Sequence, residues 1–312
     1  MTAALSHPTP AIPLLVELCA GTAALSLRLE QAKVRPPVSR MGAKTGYADI
    51  ILALAGLQPG GRAERYLWCE PDAGVRLLLH AYTDRALAMA AADIIRSWKD
   101  EEPRALWERL RAEGPAVCPP VEPREVARWV LDSHWSRSSS GGSYQGPGAR
   151  KTPNPNDPNN AVQGERGPLA DRTEHTPLVP ATIADDARTV PTPPRLPAGT
   201  VAYIDPPYKG TTGYAHAFPR SEWLPVVRRW AAAGARCMVS EAEPIPELVA
   251  DGWHAVEITA MRRGQKRTFS KQKREFVTMN FEPDEAALRS IQVKEQSILT
   301  ANTEYISDLF GA

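Results

Sequence analysis

Short apolar runs alternate with stretches of helical periodicity along most of this chain. "AIPLLVELCAG" is an apolar run ending at Gly21, and "TAALSLRLEQA" places Leu25 and Leu29 on one helical face, so the two read as strand, turn and helix. "YADIILALAGL" predicts a second helix, closed by Gly56 and the turn residues after it. "RYLWCEPD" predicts the next strand and "AGVRLLLHAY" the helix that follows. Helical spacing continues through "DIIRSWKDEEPRALWERLRAEG", where Pro103 starts a fresh helix, and through "PREVARWVLDSHW". Further on, "AGTVAYID" and "ARCMVSEAEP" predict buried strands on either side of a helix in "SEWLPVVRRWAAAG". Ser221 is the expected cap of that helix, with Pro225 in or near its first turn. "WHAVEITAMRR" and "REFVTMNFEP" predict a final antiparallel pair around a basic loop, and the tail from Asp284 predicts a helix.

Strands alternating with helices predict an α/β protein: a Rossmann-like, doubly wound, mostly parallel sheet with terminal antiparallel strands. Between Ser136 and Pro197 the chain is crowded with Gly, Pro, Asn, Ser and Arg and offers little to bury. This stretch is expected to be a long loop or partly disordered insertion. The expected organisation is one half of the core over 11–95, a helical and Gly/Pro-rich insertion over 96–197, the second half over 198–282, and a helical tail over 283–312.

The 312 residues carry 37 Lys plus Arg against 36 Asp plus Glu, so a nucleic-acid partner would have to be held by local basic patches. Cys19, Cys69, Cys118 and Cys237 form no C-x-x-C pair, which argues against a zinc site and for a reduced, cytoplasmic setting. The apolar stretch from Ala11 to Ala20 lacks a basic leader and contains Pro13 and Glu17, unlike a secretory signal. No run is long enough to span a bilayer, so a soluble protein without a membrane partner is expected.

The most informative stretch is "YIDPPYKG". Ligands of an open α/β sheet bind outside the carboxyl ends of its strands, and "VAYID" puts Asp205 at such an end. Pro206 and Pro207 fix their own backbone and hold the preceding residues extended. The Asp205 carboxylate and the Pro206 carbonyl are then preorganised to accept both hydrogens of an –NH2 group. The Tyr208 face can stack on the ring that carries the amine, worth about 1–3 kcal/mol for a nucleobase.

This Asp-Pro-Pro-Tyr run resembles the signature of the amino-methyltransferases, and with Asp at its head it is similar to that of the Dam-like DNA adenine-N6 methyltransferases. The resemblance covers roughly Leu14 to Asn280 in outline, and only this stretch is specific. It implies S-adenosylmethionine as cofactor, no metal, and double-stranded DNA with a flipped adenine as partner. Asp205, Pro206, Pro207 and Tyr208 would be the catalytic residues. "VELCAGTAALS" resembles the family's Phe-x-Gly-x-Gly motif, with Cys19 in place of the aromatic and Ala23 in place of the second glycine. Glu17, Cys19, Ala20 and Gly21 are accordingly implied in donor binding. Glu70 is implied to hold the donor's ribose hydroxyls, with Asp72 as the fallback. "SRMGAKTGYADIIL" resembles the Gly-x-Lys element that supports the donor's methionine portion, implying that Lys44 pairs with its carboxylate. That element normally precedes the glycine motif and here follows it. The acid that reads the donor's adenine has no assigned position.

Two stretches offer nucleic-acid contacts. "HWSRSSSGGSYQGPGARK" resembles the Dam-like segment that approaches DNA, with Arg137, Tyr144, Arg150 and Lys151 as candidates. "RRGQKRTFSKQKRE" is strongly basic around Phe269, with Arg263, Lys266, Arg267 and Lys271 available to phosphates. RNA, another amine substrate, and a non-catalytic nucleic-acid-binding protein on the same scaffold are the competing readings.

Overall fold

The computed structural model describes residues 11–33, 36–38, 44–114, 120–136, 143–144, 166–208, 216–261 and 274–310. Seven strands form one sheet: β1 (Leu15–Leu18), β2 (Tyr66–Cys69), β3 (Ala181–Ala184), β4 (Val201–Ile204), β5 (Arg236–Glu241), β6 (His254–Glu257) and β7 (Phe276–Met279). Their spatial order is β3-β2-β1-β4-β5-β7-β6. The first five are parallel, and β7 lies antiparallel between β5 and β6. The α/β, Rossmann-like architecture with terminal antiparallel strands is therefore as the alternation of elements predicts.

The ten α-helices of the described residues are α1 (Ala24–Glu30), α2 (Ala48–Leu54), α3 (Ala73–Thr83), α4 (Arg85–Ser97), α5 (Pro103–Glu113), α6 (Pro123–Trp135), α7 (Arg166–Glu174), α8 (Arg220–Ala232), α9 (Pro246–Ala250) and α10 (Glu285–Phe310). Both faces of the central strands are apolar because helices cover both. Leu15, Trp68, Tyr203, Met238 and Val277 face a layer containing residues of α1, α2, α3 and α10. Val16, Leu18, Ile204, Cys237 and Val239 face Trp223, Val227 and Trp230 of α8 and Leu248 of α9. No helix of the described residues is long and apolar enough to cross a membrane.

Two elements arise where the composition of 136–197 predicts loop. The α7 helix inserts Leu169 and Ala170 into the core, and its Arg166 guanidinium donates to the carbonyls of Trp98, Lys99 and Glu101 just past α4. Strand β3 closes the sheet edge beside β2, in register from Tyr66–Ala181 to Cys69–Ala184. A further difference concerns α8, which begins at Arg220 after Pro219. Ser221 lies inside its first turn and caps nothing, because the Pro219 carbonyl already accepts from Glu222 and Trp223.

Helices α4 to α7 pack on one another, and α6 also packs on α3. At that last contact a Cβ on Gly74 would lie 2.2 Å from Nε1 of Trp129. Gly74→Ala should therefore lower stability by about 1–3 kcal/mol through overpacking, outweighing a helix-propensity gain of about 0.5–1 kcal/mol. Thermal unfolding of the variant reads this directly, and an unchanged or raised Tm would exclude the close α3–α6 approach.

Candidate active site

Strand β1 pairs with β2 on one side and β4 on the other, so the connections leaving the carboxyl ends of β1 and β4 run toward opposite edges of the sheet. Such a reversal of strand order leaves a crevice between the two ends. The turn after β1 forms one wall. Cys19, Gly21 and Ala23 all adopt left-handed backbone there, with φ of 68°, 53° and 51°. Left-handed non-glycine residues cost about 1–3 kcal/mol each, and they concentrate at functional sites. Ala23 thus takes a conformation natural to glycine. Its methyl group is fully buried in the core. At Gly21 an added Cβ would meet nothing within 4 Å, so the backbone is open on that side.

Two carboxylates shape this turn. Glu70, directly after β2, accepts the Gly21 N–H at 2.8 Å and the Asp72 N–H at 3.0 Å. Asp72 instead caps α3, accepting from Gly74 and Val75 at 2.9 and 3.2 Å. Of the two acids, Glu70 is therefore the one against the turn. Glu17 is read from the sequence among the donor-binding residues, but its carboxylate is spent elsewhere. It is 2% exposed and accepts from the N–H groups of Leu25 (3.4 Å) and Ser26 (2.9 Å) and from the Ser26 hydroxyl. These are the first-turn donors of α1, whose N-cap Ala23 has no side chain to satisfy them. Glu17 supports the turn from below. Burial raises its pKa to about 7 against the opposing hydrogen bonds of Ser26 and Leu25. Cys19, also in the turn, has its thiol pushed well up by burial, with Glu70 and Asp205 adding to the shift, and so stays protonated.

On the other wall, Asp205 directly follows β4, and its N–H donates to the Leu18 carbonyl at 3.3 Å. The Lys44 ammonium is 2.8 Å from Asp205 Oδ1, 3.7 Å from Glu275 Oε1 and 4.7 Å from the centre of the Tyr208 ring. Tyr208 donates its hydroxyl to Glu275. Lys44 therefore reaches the carboxyl end of the sheet and lies on the acid of the Asp-Pro-Pro-Tyr run. Burial raises the pKa of Asp205 and of Glu275, and the neighbouring ammonium of Lys44 opposes both shifts. Burial likewise drives the Tyr208 phenol upward, beyond any ordinary titration. Beneath them Tyr203 and Ser240 share a 2.7 Å hydrogen bond between adjacent strands.

Two acids here were not among the sequence-based candidates. Glu275 was hidden at the end of a basic stretch, although the alternation of Val277 and Met279 traced backward puts it on the same sheet face. Asp185 directly follows β3, next to the end of β2, where the Glu70 N–H bonds the Ala184 carbonyl at 2.9 Å. It is exposed, whereas its neighbour Asp186 is held by Arg188. Recognising β3 would have revealed it.

Of the nucleic-acid candidates, Tyr144 packs on Trp107 with ring centres 5.2 Å apart, and its segment bridges to Ser136. Arg137, Arg150, Lys151, Arg263, Lys266, Arg267 and Lys271 lie outside the described residues, as do Gly42 and Phe269. In comparisons with known proteins, no family model matches the chain and no curated protein shows significant similarity to it.

The raised pKa of Glu17 has a defined sign. A carboxyl that binds its proton more tightly when folded makes stability fall as pH rises from about 4.5 to about 7, by about 3 kcal/mol at most. Glu17→Gln should remove this contribution, so the difference between variant and wild type should move in the variant's favour across that window. Urea midpoints at pH 5 and pH 8 test it; a constant difference would mean that Glu17 is not neutralised by folding.

Proposed function

We propose that this chain transfers a methyl group from S-adenosylmethionine to the N6 amine of an adenine flipped out of DNA. The observation that carries the reading is convergence. The Asp-Pro-Pro-Tyr run and the open Gly21 turn with Glu70 are far apart in sequence, and they meet across one crevice at the strand reversal.

The residues present fit the donor. Gly21 leaves the backbone open to a ligand. Each carboxylate has about four lone-pair sites, so Glu70 keeps acceptor capacity for two ribose hydroxyls beyond the backbone N–H groups it already holds. Asp185 supplies the acid for the donor's adenine amine that the motifs alone leave unassigned. When bound, the donor would supply an electrophilic methyl carbon on its sulfonium, which the amine nitrogen attacks as the C–S bond breaks and the neutral thioether leaves. The chain's own task is to prepare that amine. Adenine's amine is a poor nucleophile because its lone pair is delocalised into the ring. Accepting its two hydrogens at Asp205 and at the Pro206 carbonyl favours a pyramidal nitrogen with the lone pair directed outward. Tyr208 offers a face for the base, which must leave the duplex to reach the crevice. Catalysis then rests on position and electrostatics. The methylated nitrogen afterwards gives up one proton to Asp205 or water.

Nucleoside digestion and mass spectrometry of DNA from expressing cells is the test. N6-methyladenine is expected with the wild type and absent with Asp205→Ala, while S-adenosylmethionine binding by the variant stays within a few-fold. Absence of methylated adenine in wild-type samples, with RNA digests equally unmodified, would overturn the reading. Asp185→Ala should weaken donor binding about tenfold, equal to the loss of about 1.4 kcal/mol. Calorimetric titration measures that loss, and unchanged affinity would remove Asp185 from the donor site.

A further inference from the structure

In the structure as it stands the amine site already holds an amine. The Lys44 ammonium lies on the Asp205 carboxylate and against the Tyr208 ring, the same two surfaces that the proposed reaction offers to the target's amino group and its ring. Lys44 is 6% exposed, and both carboxyl groups near it are largely buried. An incoming base that takes Asp205 Oδ1 must displace this ammonium. A buried charge stripped of its partner is strongly destabilising, so entry requires a second carboxylate that can receive the ammonium.

Glu275 supplies the destination. Its Oε1 is 3.7 Å from Nζ, so a shift of about an ångström along a flexible four-carbon stem completes the second ion pair. The acid is also held firmly. Its N–H donates to Thr259 Oγ1 at 2.9 Å, its carbonyl accepts from the Ile258 N–H at 2.8 Å, and its carboxylate receives the Tyr208 hydroxyl. Resting on the reading of Asp205 as the amine acceptor, we propose that Lys44 is a resident occupant of the amine site, and that Glu275 is a positioning residue that takes over its ammonium when the target base enters. The ion pair is exchanged, the net charge of the cluster is unchanged, and no proton or bond is transferred. The same pairing holds the Asp205 carboxyl group in one direction, so the acceptor is in place as soon as the lysine moves.

The test is a double-mutant cycle on the full chain with Lys44→Met, Glu275→Gln and the two combined. Binding of an oligonucleotide that keeps adenine as the target base, with 2-aminopurine beside it as reporter, is followed by fluorescence, with methyl transfer to an adenine oligonucleotide measured in parallel by mass spectrometry. Glu275→Gln alone should strand Lys44 on Asp205 and weaken oligonucleotide binding about tenfold. S-adenosylmethionine binding should stay unchanged. In the Lys44→Met background the same Glu275→Gln change should cost less than about twofold, because no ammonium is left to receive. Equal losses in both backgrounds overturn the proposal and leave the methyl-transfer reading standing. Non-additive binding without methyl transfer supports the displacement and overturns the reaction. Absence of oligonucleotide binding by the wild type overturns both. Circular dichroism of each variant separates these results from misfolding, and Glu275→Asp, which keeps the charge, should recover part of the binding.

Discussion

A carboxylate at the centre of a fully buried strand is the constraint around which this fold is arranged. Glu17 sits in β1 with helices over both sheet faces, so it must find donors within the protein or remain protonated. It does both in part, taking the first-turn N–H groups of α1 while burial holds its pKa high. In most helices a Ser, Thr, Asp or Asn at the N-cap performs this task from within the turn itself. Here the strand performs it, and Trp68 of β2 donates to the same Ser26 hydroxyl at 2.8 Å. The turn between β1 and α1 is thereby relieved of any capping side chain. Cys19, Gly21 and Ala23 hold their left-handed geometry with the backbone open on the crevice side. The turn is bare at Gly21 because its support lies underneath.

Charge is managed by a related rule on the other wall. One ammonium and two carboxyls are withdrawn from water together, so each is tolerable only in the company of the others. The apolar strands bring them to one height: Tyr203 and Asp205, Ser240, and Glu275 share a sheet face because each lies an even number of residues from core positions of its own strand. The chemistry of the site and the packing of the sheet are therefore fixed by the same two-residue period.

How far the sequence could be read follows from where the information lay. Strands β1, β2, β4 and β5 are legible because each is a run of mostly buried residues, and Asp205 is legible because two prolines follow it. Strand β3 was not, since "ATIA" is half exposed and lies among prolines and arginines, and with it went Asp185. Helix α7 was missed because it carries few apolar residues and is tied down through Arg166, a polar anchor that no hydrophobic period reports. Lys44 was legible as part of a motif, but its partner was not. Its contact with Asp205 spans most of the core and is set by how α2 packs against the sheet, which local patterns do not encode. Glu17 misled because its neighbours suggested a ligand site, whereas the missing cap on α1 was the decisive clue.

The direction of β7 carries a separate lesson about how such a chain can vary. Because β7 runs against its neighbours, its first residues, and not its last, arrive beside Asp205. Changes of chain length ahead of Arg274 leave the phase of this strand unaltered. A single residue added between Glu275 and Val277 would instead rotate Glu275 to the face covered by α8, away from Lys44. The strand is thus locked in phase from Glu275 onward, so relatives of this chain should keep the spacing that follows Glu275.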